Sequence, residues 1–235
     1  MTTSPRKRVA VLISGRGSNM SALIGAAMDP SFPGEIVAVL ANKADAGGLA
    51  TAARYGIAAK AVPHRDHASR DEHEAALIRV LDEFRPDVVC LAGYMRLLTP
   101  RFVEHYKGRM INIHPSLLPL FPGLHTHERA LAAGMRIHGC TVHFVTQDMD
   151  EGPIIAQAAI AVERGDTPDR LSDRLLRAEH RLYPHALRLV LDGTVRMEGG
   201  RAIFATDDIP SAEAGHNRLV KDGIAMLVSP DARDA

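Results

Sequence analysis

The segment Arg8-Val-Ala-Val-Leu-Ile-Ser-Gly-Arg-Gly-Ser-Asn19 decides the fold. Residues 8–14 are almost continuously apolar, as in a parallel strand that is buried on both faces. A glycine turn at residues 15–17 ends this strand, and residues 20–29 are predicted to form a helix. Because the first N–H groups of a helix and its dipole attract anions, the strand, turn and helix together predict a phosphate-binding unit.

The glycine turn lacks two features of a dinucleotide-binding site. Met20 stands where the third glycine would be, and Asn42 and Lys43 follow the second predicted strand in place of an acidic residue. The turn therefore favours a mononucleotide-type phosphate over NAD, and it argues against hydride transfer. The structural alternative is a tight turn in which Ser18 only caps the helix.

Strands and helices alternate along the chain as far as residue 134. Further strands are predicted over residues 35–41, 58–62, 87–92 and 110–113, and helices over 47–55, 70–84 and 126–133. This alternation predicts an α/β fold with a doubly wound, mostly parallel sheet. Strands over 139–146 and 154–162, joined by an acidic turn, predict an antiparallel edge region, and a long helix capped by Thr167 follows.

A second segment, Met110-Ile-Asn-Ile-His-Pro-Ser-Leu-Leu-Pro119, carries the predicted chemistry. Alternate residues of a strand share a face, so Asn112 and His114 project together, and the prolines that follow stiffen the backbone. A carboxylate beside His114, from Asp148 or Asp150, would favour the charged imidazole. The imidazolium and the amide would form a donor pair for an oxyanion, which suits acyl transfer to an amine. In the alternative, His114 is an ordinary strand-end histidine.

No serine or cysteine has the context of an activated nucleophile, so direct transfer is favoured over a covalent intermediate. Ser116 follows His114 closely, but nothing else marks it. Cys90 and Cys140 lie in strand-like runs that favour buried thiols. Four other histidines raise the question of a metal site: His125, His127, His138 and His143. No H-E-x-x-H pattern or C-x-x-C spacing accompanies them, so we expect no metal and interpret them as structural or cleft-lining residues.

The composition narrows the class of protein further. Lys and Arg number 28, as do Asp and Glu, so the chain carries no net charge and shows no basic footprint for nucleic acid. No apolar run reaches the length of a membrane span, and the first eight residues lack the features of a secretory signal, so we expect a cytoplasmic protein. We also expect one domain over residues 1–205 and a C-terminal tail, polar and mobile, over 206–235.

Seven motifs together resemble one family, the folate-dependent phosphoribosylglycinamide formyltransferases. The resemblance runs from about Val9 to Leu191 and departs from the family pattern at Gln147 and Met149 of the acidic turn. The motifs are Leu12-Ile-Ser-Gly-Arg-Gly-Ser-Asn19, Asn42-Lys-Ala-Asp45, Leu91-Ala-Gly-Tyr-Met-Arg96, Asn112-Ile-His-Pro-Ser-Leu-Leu-Pro119, Pro122-Gly-Leu-His-Thr-His127, Val142-His-Phe-Val-Thr146 and Asp150-Glu-Gly-Pro153.

The resemblance implies a formyltransferase-type sheet and transfer of formyl from 10-formyltetrahydrofolate to the amine of 5'-phosphoribosylglycinamide. Asn112 and His114 would stabilise and protonate the tetrahedral intermediate, and Asp150 would orient His114. The residues implied for the phosphate and ribose are Gly17, Ser18, Asn19 and Glu179. Those implied for the folate are Arg70, Met95, Arg96, Leu97, Leu98, Thr146, Gln147, Asp148 and Met149. The partners are then small molecules, and the protein is expected to be a monomer or homodimer.

Several alternatives stay open. A sugar-nucleotide formyltransferase and formyltetrahydrofolate hydrolase resemble the same Asn-x-His core, although the hydrolase would bring an N-terminal regulatory domain. Methionyl-tRNA formyltransferase would bring a basic C-terminal module, which this neutral chain does not match. A non-catalytic nucleotide- or folate-binding module would keep the glycine turn, but it would not require Asn112, His114 and Asp150 together.

Overall fold

A computed structural model describes residues 5–205, 219–220 and 224–227 of the 235-residue chain. The chain forms two compact units, Met1–Ile111 and Asn112–Ala235. The boundary between them falls inside one strand, β5 (Met110–His114). In the described ranges no helix is both long and apolar enough to cross a membrane.

The first unit is built on parallel strands. They are β1 (Lys7–Ile13), β2 (Gly34–Ala41), β3 (Ala58–Ala61) and β4 (Val88–Leu91), in the order β4-β1-β2-β3. The helices are α1 (Ser18–Ala27), α2 (Gly47–Arg54), α3 (Arg70–Glu83) and α4 (Pro100–His105). Strand β1 lies between two neighbours, and the side chains from Val9 to Ile13 are fully buried. The prediction of a buried parallel strand here is confirmed.

Local sequence signals set where these helices begin. The Ser69 hydroxyl accepts the N–H of Glu72 at 3.1 Å and the Glu72 carboxylate accepts the N–H of Ala68 at 3.1 Å, so two side chains cap the start of α3. Gly17 has φ 72°, and α1 starts directly after it rather than at Met20 as predicted. Glycine adopts a left-handed conformation at little cost, which lets the chain turn sharply from β1 into the helix.

The second unit is built on an antiparallel edge and one long helix. Its strands are β6 (Ile137–Phe144), β7 (Ile154–Ala161), β8 (Val195–Glu198), β9 (Arg201–Phe204), β10 (Leu219–Val220) and β11 (Ile224–Leu227), and its helices are α5 (Thr126–Ala132) and α6 (Pro168–Leu191). Strand β7 pairs antiparallel with both β6 and β11, and β8 and β9 form a separate hairpin. The predicted α/β class, with its antiparallel edge region, is confirmed.

Helix α6 follows the predicted signals. The Thr167 hydroxyl accepts the N–H of Arg170 at 3.3 Å, and Pro168 occupies the first helical position, where a missing N–H costs nothing. The buried stripe of α6 includes Leu171, Leu175 and Leu182, all fully buried. This stripe packs the helix against β6 and β7.

Part of the expected C-terminal tail is sheet. Strand β11 pairs with β7, with Met226 opposite Ala158, and β10 pairs with β11. The expectation of a mobile tail is therefore wrong for residues 219–220 and 224–227, which form two strands. The apolar run Ile224-Ala-Met-Leu227 suits a strand, but its pairing with a strand 66 to 70 residues earlier leaves no local signal in the sequence. The remainder of 206–235 lies outside the described residues, and the single domain over residues 1–205 stays a prediction.

Candidate active site

His114 ends β5 with its ring buried between two oxygen acceptors. Its Nδ1 lies 3.4 Å from Oδ2 of Asp150, and its Nε2 lies 3.0 Å from the carbonyl oxygen of Phe121. An imidazole that faces acceptors at both nitrogens is placed to donate from both. The predicted meeting of His114 with a carboxylate of the acidic turn is therefore observed, and the partner is Asp150 rather than Asp148.

Backbone features hold the side chain of Asp150 in place. Its Oδ2 accepts the N–H of Gly123 at 2.8 Å, and the residue has φ 58°, a left-handed conformation that Asp tolerates better than most residues. The turn closes tightly because Gly152 follows: a Cβ there would lie 1.7 Å from the carbonyl oxygen of Phe144. These constraints fix the carboxylate beside the imidazole.

Asn112 is oriented by a second histidine, His143 on β6. The Asn112 Nδ2 donates to Nε2 of His143 over 3.2 Å, and the His143 Nδ1–H donates to the carbonyl oxygen of Phe144 over 2.9 Å. Burial lowers the pKa of His143, which keeps the ring neutral and Nε2 an acceptor. One of the two amide hydrogens of Asn112 is used in this bond. The amide cannot flip, because its oxygen has no hydrogen to donate to Nε2 of His143. Nε2 of His143 also lies 3.9 Å from Oδ1 of Asp150.

The loop that follows His114 is fastened by buried hydroxyls. Thr141 Oγ1 donates to the carbonyl oxygen of Ser116 at 2.7 Å and accepts the N–H of Leu118 at 3.0 Å. The Ser116 hydroxyl is fully buried and donates to the carbonyl oxygen of Leu120 at 2.6 Å. This engagement agrees with the expectation that Ser116 is not a nucleophile.

Two further histidines form a neutral pair. His127 Nδ1 lies 3.2 Å from His138 Nε2. Burial lowers the pKa of His127 and lowers that of His138 to about 4. His138 also hydrogen-bonds the backbone of Pro115, directly after His114. The interpretation of these two residues as structural is supported, whereas His125 is exposed and lies 3.5 Å from Glu128.

In the first unit, the glycine turn borders a cavity of about 230 Å³. Its lining comprises Ser14, Gly15, Arg16, Gly17, Ser18, Asn19, Lys43, Ala92, Gly93 and Met95. The turn is anchored on α2, where the N–H of Gly48 donates to the carbonyl oxygen of Gly15 at 3.0 Å. The N-terminus of α1 and the cations Arg16 and Lys43 suit an anion such as phosphate. Nothing in the sequence alone marks Lys43 for this role.

The loop from Gly93 to Leu98 exposes apolar side chains. Met95 is 64% exposed and Leu97 is 56% exposed. The N–H of Met95 donates to Oγ of Ser14 at 2.8 Å, and the N–H of Thr99 donates to both carboxylate oxygens of Glu74 at 3.1 Å. Burial raises the pKa of Glu74, and the nearby charge of Arg70 opposes that rise. Neither Ser14 nor Glu74 is predicted as a site residue from the sequence.

The other predicted site residues are placed as follows. Glu179 lies on the buried face of α6. Burial of the Cys140 thiol raises its pKa, and the charge of Glu179 raises it further. Both cysteines are buried, as predicted. Arg70 is exposed at the start of α3. Thr146, Gln147, Asp148 and Met149 lead into Asp150, and the last three of them are exposed.

A carboxylate-held imidazole beside a fixed amide donor suits an enzyme of acyl transfer. The chain matches the family described as "Formyl transferase" over residues 7–187 and therefore belongs to that family.

Relatives of the chain include a phosphoribosylglycinamide formyltransferase of Escherichia coli K12. The two are 46% identical over 202 residues, which cover 86% of this chain and 95% of the relative. The trifunctional purine biosynthetic protein adenosine-3 of Bos taurus is 49% identical over 88% of this chain, but the chain spans only 21% of that relative. Among solved structures, the chain is similar to a crystal structure of phosphoribosylglycinamide formyltransferase from Brucella melitensis, with a TM-score of 0.77 and 57% sequence identity. The match covers 86% of this chain and 100% of the Brucella chain.

Proposed function

We propose that the protein transfers the formyl group of 10-formyltetrahydrofolate to the amine of 5'-phosphoribosylglycinamide, a step of de novo purine synthesis. The observation that carries this proposal is the pairing of His114 with Asp150 together with the pairing of Asn112 with His143. The names of the E. coli and B. melitensis relatives, which the chain covers almost completely, support the choice of substrates.

The reaction requires stabilisation of an oxyanion and one proton delivered to the leaving nitrogen. The acceptor amine attacks the formyl carbon, and the carbonyl oxygen takes up negative charge. The Asn112 amide, which has a second hydrogen beyond the one given to His143, would stabilise this oxygen. The Nε2–H of His114 would join it by exchanging the carbonyl oxygen of Phe121 for the substrate, while Nδ1 stays with Asp150. The bond from carbon to the folate nitrogen then breaks. The amine gives up one proton and the folate nitrogen receives one, with His114 as the acid.

Asp150 would hold the imidazole in the productive orientation and help to move protons. Its Oδ2 faces Nδ1 of His114, so a positive charge on the ring is matched by the carboxylate as the proton is passed. Its Oδ1 lies nearer to His143, so one carboxylate touches both pairs. We propose no metal and no covalent enzyme intermediate for this reaction.

The remaining residues would bind the two substrates. Gly17, Ser18 and Asn19 would bind the ribosyl phosphate at the N-terminus of α1, aided by Lys43, and Glu179 would contact the ribose or glycinamide end. The exposed side chains of Met95 and Leu97 fit a flat, partly apolar ring system such as that of folate. The other residues proposed for the folate are Arg70, Arg96, Leu98, Thr146, Gln147, Asp148 and Met149.

We propose further that the protein acts in the cytoplasm on small molecules as a monomer or homodimer, without nucleic acid or a membrane. The balanced charge of the chain supports this, since a nucleic-acid protein usually carries a basic surface.

An absorbance assay tests the proposed function directly. Purified protein is mixed with 10-formyl-5,8-dideazafolate, with and without phosphoribosylglycinamide, and deformylation is followed over time. We expect deformylation that depends on the ribonucleotide. Deformylation without it would identify a hydrolase, and none in either case would leave a sugar-nucleotide acceptor or a binding module.

A further inference from the structure

The Ser14 hydroxyl joins the glycine turn to the loop that follows β4. Ser14 comes directly after β1 and is buried. Its Oγ donates to Oδ1 of Asn42 at 2.6 Å and accepts the N–H of Met95 at 2.8 Å. Its own N–H donates to the carbonyl oxygen of Gly93 at 3.1 Å. Ser14 is therefore bonded to the loop through its backbone and through its side chain.

Asn42 fixes the direction of this hydroxyl. The Asn42 residue is almost fully buried, and its backbone carbonyl oxygen accepts the Nδ1–H of His64 at 2.8 Å, which holds the residue at the end of β2. The Oδ1 of Asn42 faces Ser14 and takes the hydroxyl proton. A lone pair of the Ser14 oxygen is then left for the N–H of Met95. The turn, the end of β2 and the loop are connected through one oxygen atom.

The two connected segments border the same cavity. Ser14 to Asn19 line it from the turn, and Gly93 and Met95 line it from the loop. The far end of the loop is held independently, because Glu74 accepts the N–H and the hydroxyl proton of Thr99. At the near end, Tyr94 is buried but the side chain of Met95 is mostly exposed, so the bond from the Met95 N–H to Ser14 restrains a residue whose own side chain packs little.

We infer that Ser14 is a positioning residue that couples phosphate binding at the turn to folate binding at the loop. An anion on the turn restricts Gly15 to Asn19 and with them Ser14. A fixed Ser14 restrains the amide of Met95. The loop then loses less conformational entropy when the folate binds, and the folate binds more tightly. Such coupling is reciprocal, and in proteins it commonly changes affinity by about 5- to 150-fold. This inference rests on the proposed function.

The test measures a ratio of dissociation constants. The Kd of 5,8-dideazafolate, which carries no formyl group to transfer, is measured by titration calorimetry with and without saturating phosphoribosylglycinamide. In the wild-type protein we expect the ribonucleotide to tighten folate binding about five-fold or more. In Ser14→Ala we expect the ratio to fall to about one, with a raised KM for the folate and a kcat that changes far less than the KM.

Two control variants distinguish a loss of coupling in Ser14→Ala from general damage to the glycine turn. Ser21→Ala removes a hydroxyl that donates to the carbonyl oxygen of Gly17 at 3.1 Å, so it touches the same turn on the side of α1. It should retain the wild-type ratio. Ser14→Thr keeps the hydroxyl and should recover most of the ratio that Ser14→Ala loses.

An unchanged ratio in Ser14→Ala, or no coupling in the wild-type protein, would overturn the inference. If the wild-type protein also fails to deformylate the folate with the ribonucleotide, the proposed function fails as well; if it turns over normally, only the inference fails.

Hydrogen exchange in the wild-type protein provides a second measurement that does not depend on a variant folding. The ribonucleotide alone should slow amide exchange in peptides covering residues 93–98 by several-fold. Exchange there that is unaffected by the ribonucleotide would contradict the coupling.

Discussion

The first unit builds its candidate site mainly from backbone groups, whereas the second builds its site from side chains. In the first unit, the glycine turn relies on backbone geometry: a left-handed Gly17, the N-terminus of α1 and a carbonyl held by Gly48. In the second unit, side chains from β5, β6 and the acidic turn meet one another directly. Backbone sites suit binding of a charged group, whereas proton transfer needs titratable side chains at fixed distances. Changes to the side chains around His114 should therefore act on kcat, and changes at the glycine turn on KM.

Among the variants that leave His114 in place, the largest effect is expected for Gly152→Ala. The added Cβ would meet the carbonyl oxygen of Phe144, so the acidic turn must shift and carry Asp150 away from His114. A displacement of about 1 Å can cost about 10²-fold in rate, and the overpacking should cost about 1–3 kcal/mol of stability. Steady-state kinetics and urea unfolding check both.

Gly25→Ala is the matched control for this variant. Gly25 lies in α1, where a Cβ would meet no atom within 4 Å, so activity and stability should be retained. Normal kcat in Gly152→Ala would show that the position of the turn does not matter for catalysis.

A second effect distinguishes the buried pair of His127 and His138 from His114, the proposed acid. Because burial lowers the pKa of His138 to about 4, the unfolded chain binds a proton between pH 4 and 6.5 that the folded protein excludes. The free energy of unfolding should fall by up to about 3 kcal/mol as the pH drops through this window. His138→Gln should show a smaller fall in urea titrations at pH 5 and 7. The same fall in both proteins would assign the pH dependence to other groups.

His143→Leu tests how Asn112 is oriented. Leucine has no acceptor in place of Nε2, so the Asn112 amide is free to rotate, and one hydrogen bond of this kind is worth about ten-fold in rate. We expect kcat to fall by about that factor with the KM for the ribonucleotide unchanged. A variant that raises this KM and keeps kcat would place His143 in binding instead.

The smallest effect is expected for Lys43→Ala in the first unit. An exposed cation beside a phosphate contributes up to about 1 kcal/mol, so the KM for the ribonucleotide should rise by about five-fold at unchanged kcat. Lys60→Ala serves as the control, because Lys60 pairs with Glu83 and is not among the residues lining the cavity. Equal KM values in the two variants would remove Lys43 from the phosphate site.

Local patterns were sufficient to predict much of this arrangement. The two-residue period of β5 places Asn112 and His114 together, and the Thr167 signal marks where α6 begins. Strand β1 is recognisable from its continuous apolar run.

Contacts between distant segments could not be predicted in the same way. The bond from Met95 to Ser14 joins residues 81 positions apart, and that from Asn112 to His143 joins residues 31 apart. The pairing of β11 with β7 likewise depends on strand register, which alternation within one strand does not specify.

The most direct test of the catalytic assignment is the single-turnover rate of His114→Ala, measured together with the dissociation constants of both ligands. Loss of a general acid should slow transfer by about 10²- to 10⁴-fold while both dissociation constants stay within about two-fold of the wild-type values. A transfer rate close to that of the wild-type protein, or a loss explained entirely by weaker binding, would contradict the role of His114 as the acid.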